Sequence, residues 1–248
     1  MLRLLPALLF LALAPPALAQ DRDRPVGPIV VELFTSQGCE SCPRANRLMG
    51  RLNREPDVIA LTYPVDVWDY LGWRDTFARP EFTQRQRAYS RAMDVRSLFT
   101  PQLIFNGARG EAGARPDRIR DVILELRGEH EAPAPALSVE ENSRGMRVHV
   151  GRGAHQSEPA DVWVASYEPG PVWADINGGE NQGLRVPHYN LVRRIAKLGE
   201  WTGAPVTFNR TACRPACAVI VQAHNGGPVL AAARGPARHD DDDGDDDD

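Results

Sequence analysis

Two cysteine pairs carry the chemistry this chain can offer. Glu40 and Ser41 separate Cys39 from Cys42, and three residues separate Cys213 from Cys217. Thiols this close exchange disulfides, and the thiolate is the form that attacks. If a helix begins at Cys39-Glu40-Ser41-Cys42, the second cysteine lies one turn beyond the first and can reach back to it. Cys39 is then the attacking residue and Cys42 the resolving one. Four cysteines allow three pairings, of which the two close pairs are the simplest. Two readings of Cys39–Cys42 stand side by side, a redox-active pair and a structural disulfide. For Cys213–Cys217 the readings are an electron relay to the first pair and a local staple. Zinc is disfavoured, because no histidine lies at ligand spacing from either pair. No metal or cofactor is therefore expected.

The elements around the motif suit exchange chemistry. Ile29–Phe34 is an apolar run of strand character, and Thr35–Gly38 is a loop. After Pro43, the residues Ala45, Leu48, Met49 and Leu52 recur on one helical face. Unpaired N–H groups and the macrodipole at that helix start favour an anion, hence a thiolate. Glu40 opposes this and Arg44 offsets it.

Further along, Val58–Val65 reads as a second strand and Phe82–Met93 as a helix inside an insertion of about residues 66–96. Trp68, Tyr70 and Trp73 lie in that insertion, either lining a peptide groove or forming a small core. Gln102–Asn106 is a third strand, Asn106-Gly107 a hairpin turn, and Ile119, Val122, Ile123 and Leu126 a helical face. Residues 129–136 are a proline- and alanine-rich linker. Beyond it, short apolar runs separated by turn signals (residues 137–235) predict a smaller β-sandwich of about seven strands. There, His188 with Glu180 and Asn181 is a candidate binding cluster.

The termini and the charge set the context. Arg3, the apolar run Leu4–Ala14 and Ala17-Leu18-Ala19 form a secretory leader, residues 1–19, which predicts a periplasmic or secreted protein. The run is too short to span a bilayer, and no membrane span is expected after cleavage. The formal charge of −4 includes eight aspartates within residues 240–248; without them the chain carries +4. That body is too weakly basic to predict nucleic-acid binding. Residues 236–248 read as a disordered acidic tail.

Phe99-Thr100-Pro101-Gln102 through Asn106-Gly107 resembles the cis-proline segment of thioredoxin-like proteins. There the proline packs opposite the cysteine pair, and the backbone before it aligns substrate peptide. The resemblance implies that Thr100–Pro101 is cis and faces Cys39, which makes Pro101 a site residue. It also raises Glu32 as the acid that relays a proton from the resolving cysteine; the other reading pairs Glu32 with an arginine.

Val31–Cys39, Ser41-Cys42-Pro43, Val65-Asp66, Trp68–Trp73, Arg85–Tyr89, Gly179–Gly183 and Asn190–Arg193 are together similar to the secreted, thioredoxin-like DUF1223 family, whose function is uncharacterised. Pro64, where relatives often carry histidine, departs from that pattern.

The expected architecture is therefore an α/β thioredoxin-like domain with a helical insertion (residues 26–128), followed by a smaller all-β sandwich-like domain. The expected function is that of an exported thiol–disulfide oxidoreductase acting on protein or small-thiol substrates and recycled by a redox partner. The competing expectation is a non-enzymatic cell-envelope binding protein stapled by a structural disulfide.

Overall fold

The structure, a computed structural model, describes residues 27–129, 134–142, 145–154, 157–210 and 213–236. The leader, the aspartate run and part of the linker lie outside the described residues.

The chain opens with β1 (Ile29–Thr35), whose seven residues are all buried. An unbroken apolar run of this kind suits a central strand covered on both faces. It is followed by α1 (Cys42–Leu52), β2 (Val58–Pro64), α2 (Pro80–Ala92), β3 (Gln102–Phe105), β4 (Arg109–Ala112) and α3 (Pro116–Gly128). Each helix has proline in its first turn, where the missing N–H costs nothing. Then come β5 (Leu137–Asn142), β6 (Gly145–Val150), the long β7 (Ala160–Asp175) and β8 (Arg185–Trp201), β9 (Val206–Arg210), β10 (Ala216–Gln222) and β11 (Val229–Arg234).

The expected fold class is corrected here. There is no thioredoxin-like α/β unit followed by a separate sandwich. Instead, one mixed eight-stranded sheet runs through both halves of the chain in the order β11-β10-β7-β8-β2-β1-β3-β4. Only β5, β6 and β9 form a second sheet, and the described residues hold eleven strands against three α-helices.

The physical reason lies in the outer edge of β2 and in the length of the β7–β8 hairpin. A buried strand cannot leave its peptide groups unpaired. β8 runs parallel to β2 with Leu191 opposite Thr62. Side chains stitch that seam. Thr62 Oγ1 donates to the Tyr189 carbonyl at 2.6 Å, and Asn190 Nδ2 donates to the Ala60 carbonyl at 2.8 Å and to Asn53 Oδ1 at 2.6 Å. α1 closes over the join at Gly50, where a Cβ would lie 2.5 Å from the Tyr189 ring.

The sheet has two distinct faces. On β1, Val30 and Phe34 point into a core that continues through Ala218 and Ile220 of β10 and is backed by Phe82 and Tyr89 of α2. Val31 and Leu33 point the other way, against α1 and α3. At the far end, Val219 and Val221 of that second face pack on Met146, Val148 and Val150 of the small sheet. Strand alternation thus puts α1, with its cysteines, across the sheet from α2.

Asn106-Gly107 turns the β3–β4 hairpin with φ of 45° and 66°. A Cβ on Gly107 would sit 2.5 Å from the Gly227 carbonyl oxygen, in a left-handed conformation. Gly107→Ala is therefore expected to destabilise the protein by about 1–3 kcal/mol. A lower urea midpoint with an unchanged m-value is the result that checks this.

Candidate functional site

The first residue of α1 is Cys42, which is fully buried; Cys39 precedes it at the rim of the helix start, with 8% of its surface exposed. The two pair, with Cα atoms 5.4 Å apart. Thr35, Ser36 and Gln37 approach the motif through the interior, at 2% exposure or less. A buried loop outside a sheet has to find side-chain partners for its peptide groups. Asp75 and Asn181 supply them. Asp75 Oδ2 accepts from the Gln37 N–H at 2.7 Å. Asn181 Nδ2 donates at 2.8 Å to the carbonyls of both Gln37 and Cys39. The Gln37 side chain accepts from Trp73 Nε1 at 2.9 Å and donates to Thr76 Oγ1 at 2.9 Å.

Thr100–Pro101 is cis, and the Thr100 carbonyl oxygen lies 3.5 Å from Cys39 Sγ. Trp68 Nε1 donates to Thr100 Oγ1 at 2.7 Å. Gln86 of α2 fixes the same segment from behind, donating to the Phe99 carbonyl at 2.8 Å and to Gln102 Oε1 at 2.9 Å. Cys39, Cys42, Thr100 and Pro101 therefore converge. Trp68 and Trp73 are half-buried braces, whereas Tyr70, whose ring centroid lies 6.2 Å from that of Trp68, is 75% exposed and Leu71 46% exposed. Glu180 also reaches the motif, accepting from the Glu40 N–H at 3.3 Å.

Glu32 is placed elsewhere. It sits on the α2 face of β1, where Arg85 clamps it through Nε at 2.6 Å and Nη2 at 2.9 Å. Tyr89 donates to the same carboxylate, and Gln222 bonds Arg85 and Tyr89. This ion pair is almost completely enclosed, and removing one partner strands the other charge in the core. Glu32 thus belongs to a structural clamp across the sheet from Cys42.

Gln37 lies inside the Val31–Cys39 stretch and Thr100 inside the cis-proline segment, whereas Asp75 carries no motif that marks it in the sequence. Asn181 does lie inside the Gly179–Gly183 stretch, and its function as a latch depends on a loop fold that local pattern does not reveal. His188 does not join Glu180 and Asn181 at the cysteines. It is fully buried, edge-on to Phe77 with ring centroids 5.2 Å apart. The second pair, Cys213–Cys217, has Cα atoms 5.8 Å apart and lies at the opposite end of the sheet. Among the described residues no group of three or more potential metal ligands gathers, and no helix is long and apolar enough to cross a membrane.

Two buried groups near the site are titration-sensitive. Burial pushes the Asp75 carboxyl up to about 6, against the pull of the backbone N–H groups of Gln37, Phe77 and Ala78. Burial pushes the His188 imidazole down to about 4. The unfolded chain takes up the histidine proton near pH 6.5 while the folded chain resists it to about 4. His188 therefore makes stability fall as pH drops through that window. Asp75 acts in the opposite sense, because between its ordinary 3.8 and about 6 the folded chain holds a proton that the unfolded chain lacks. His188→Leu is expected to shrink the loss of stability between pH 7 and pH 4.5 by about 2 kcal/mol. Urea unfolding of both proteins at the two pH values measures it; an unchanged difference contradicts the assignment.

Comparison with known proteins places this arrangement. No curated protein matches the chain. A crystal structure of a protein from Agrobacterium tumefaciens is similar to it, with 30% identity and a TM-score of 0.74, covering 87% of this chain and 97% of the other. HBP35 of Porphyromonas gingivalis shares the fold at a TM-score of 0.58 and 12% identity, over 85% of this chain and 75% of its own. A family model for a protein of unknown function, DUF1223, matches residues 30–222. The chain belongs to the DUF1223 family.

Proposed function

We propose that this protein is an exported thiol–disulfide oxidoreductase whose exchanging group is Cys39. One observation carries the reading: at the start of α1 the two cysteines are unequally buried, Cys39 with 8% of its surface exposed and Cys42 with none. In the oxidised state a substrate thiolate attacks Cys39 Sγ. The Cys39–Cys42 bond breaks, its electron pair leaves on Cys42, and Cys42 takes a proton from solvent. A second thiol then releases the substrate disulfide. The reverse sequence oxidises the protein and reduces a substrate disulfide. The leader pattern of residues 1–19 supports action in the periplasm or outside the cell.

Three features suit that chemistry. The positive end of the α1 macrodipole, which no side chain caps and no acidic residue of the first turn offsets, favours charge on the sulfur. The Thr100 carbonyl beside Cys39 offers main-chain hydrogen bonding to an incoming peptide. Tyr70 and Leu71 add exposed apolar surface on the far side of Trp68, which bonds Thr100.

One observation favours a second reading. Cys39 is only 8% exposed, as suits a staple in a non-enzymatic binding protein. The reduction potential separates the two. Equilibration in glutathione or dithiothreitol buffers, followed by alkylation and mass spectrometry, reads each pair separately. A value for Cys39–Cys42 between about −270 and −120 mV is expected for the oxidoreductase, and its position in that range sets the direction of exchange. A value below about −300 mV rejects the oxidoreductase in favour of the staple.

A further inference from the structure

At the far end of the molecule a cleft of about 360 Å³ opens between the eight-stranded sheet and the small sheet. Its wall includes Cys213, Met146, Ser166, Arg194 and Arg210, and none of the lining residues is acidic. Arg194 projects from β8 beside its cross-strand neighbour Ser166 on β7, and Arg210 ends β9. Among the described residues neither arginine takes part in an ion pair. Two unmatched guanidinium groups facing one recess make it a receptor for an anion.

The disulfide in that wall is as unequal as the one at α1. Cys213 is part-exposed and borders the cleft. Cys217 is 2% exposed and lies within β10, with its backbone carbonyl held by the Gly235 N–H at 2.8 Å. A Cβ on Gly235 would stand 2.5 Å from Cys217 Sγ, so the chain closes directly over that sulfur. Met146 Sδ touches both sulfurs at 3.7 Å from the small-sheet side. An incoming thiol therefore reaches the disulfide through Cys213, from the cleft that carries the arginines. A staple with no exchange role has no need of an open sulfur in a cationic recess.

We propose that Cys213–Cys217 is a second exchange site, served by a small thiol that carries a carboxylate. The thiolate attacks Cys213 Sγ, forming a mixed disulfide there, while the Cys213–Cys217 bond breaks and its electron pair leaves on Cys217, which is protonated from solvent. A second thiolate attacks the small-molecule sulfur of the mixed disulfide. It releases the symmetrical small disulfide and leaves Cys213 as a thiolate stabilised by Arg194 and Arg210. Two thiols are oxidised and one protein disulfide is reduced. The recess selects by charge: its arginines favour an anion, and none of its lining residues is acidic.

The test uses the full mature chain carrying Cys39→Ser and Cys42→Ser, so its outcome is independent of the first pair. The protein is exposed, at equal thiolate concentration and low salt, to mercaptosuccinate, 2-mercaptoethanol and cysteamine. Alkylation and mass spectrometry follow the reduction of Cys213 and Cys217. Mercaptosuccinate is expected to react at least about tenfold faster than cysteamine, with the gap closing as salt rises. Arg194→Ala and Arg210→Ala are each expected to remove most of the preference, and Arg194→Lys to keep it. Equal rates for the three thiols overturn the proposal. Reduction that occurs only in denaturant also overturns it, and makes the pair a staple.

Discussion

Residues 36–39 leave the sheet and stay buried, and much of the remaining structure follows from that constraint. Peptide groups that have lost a strand partner and have no water must be satisfied by side chains. Asp75 receives the Gln37 N–H, and a single amide, Asn181 Nδ2, holds the carbonyls of Gln37 and Cys39. Asp75 comes from the segment after β2, and Asn181 from the loop between β7 and β8. Cys39 is thus positioned by side chains from about 36 and 142 residues further along the chain. The cysteine motif is local, but the site that holds it is assembled across the whole fold.

The joined sheet makes this assembly possible. β8 closes the edge of β2, and the hairpin it forms with β7 carries the Asn181 loop over the start of α1. From the opposite face α2 works on both ends of the same problem. Arg85 and Tyr89 clamp Glu32 in β1, the strand that leads into the motif, and Gln86 anchors the Phe99–Gln102 segment whose carbonyl stands beside Cys39. A helix with no contact role in exchange thereby governs the geometry of the residues that have one.

Local pattern marked the elements that local forces make. α1 starts where Pro43 and the spacing of Ala45, Leu48, Met49 and Leu52 place it. β3, β4 and their Asn106-Gly107 turn fall where strand character and left-handed residues predict. What was hidden is non-local. Val162–Tyr167 and Leu191–Ile195 look like short sandwich strands, but they are the centres of strands of 16 and 17 residues. β7 passes Pro169-Gly170-Pro171 by a register shift between Glu168 and Pro171. The β2–β8 seam, which overturns the expected two-part architecture, rests on Thr62, Tyr189 and Asn190, three residues with no strand-pairing signature. Glu32 shows the same limit. The thioredoxin-like resemblance raised a relay, but strand alternation turns Glu32 to the other face, where Arg85 holds it, as the competing reading had it.

The central claim is that Cys39, not Cys42, exchanges with substrate. The most direct test is to trap the mixed disulfide. The reduced Cys42→Ser and Cys39→Ser proteins are each mixed with oxidised glutathione under native conditions and read by intact mass. The account predicts a stable single adduct on Cys39 in the Cys42→Ser protein, and none on Cys42 in the Cys39→Ser protein. No adduct at Cys39, or equal adducts on both cysteines, would contradict it.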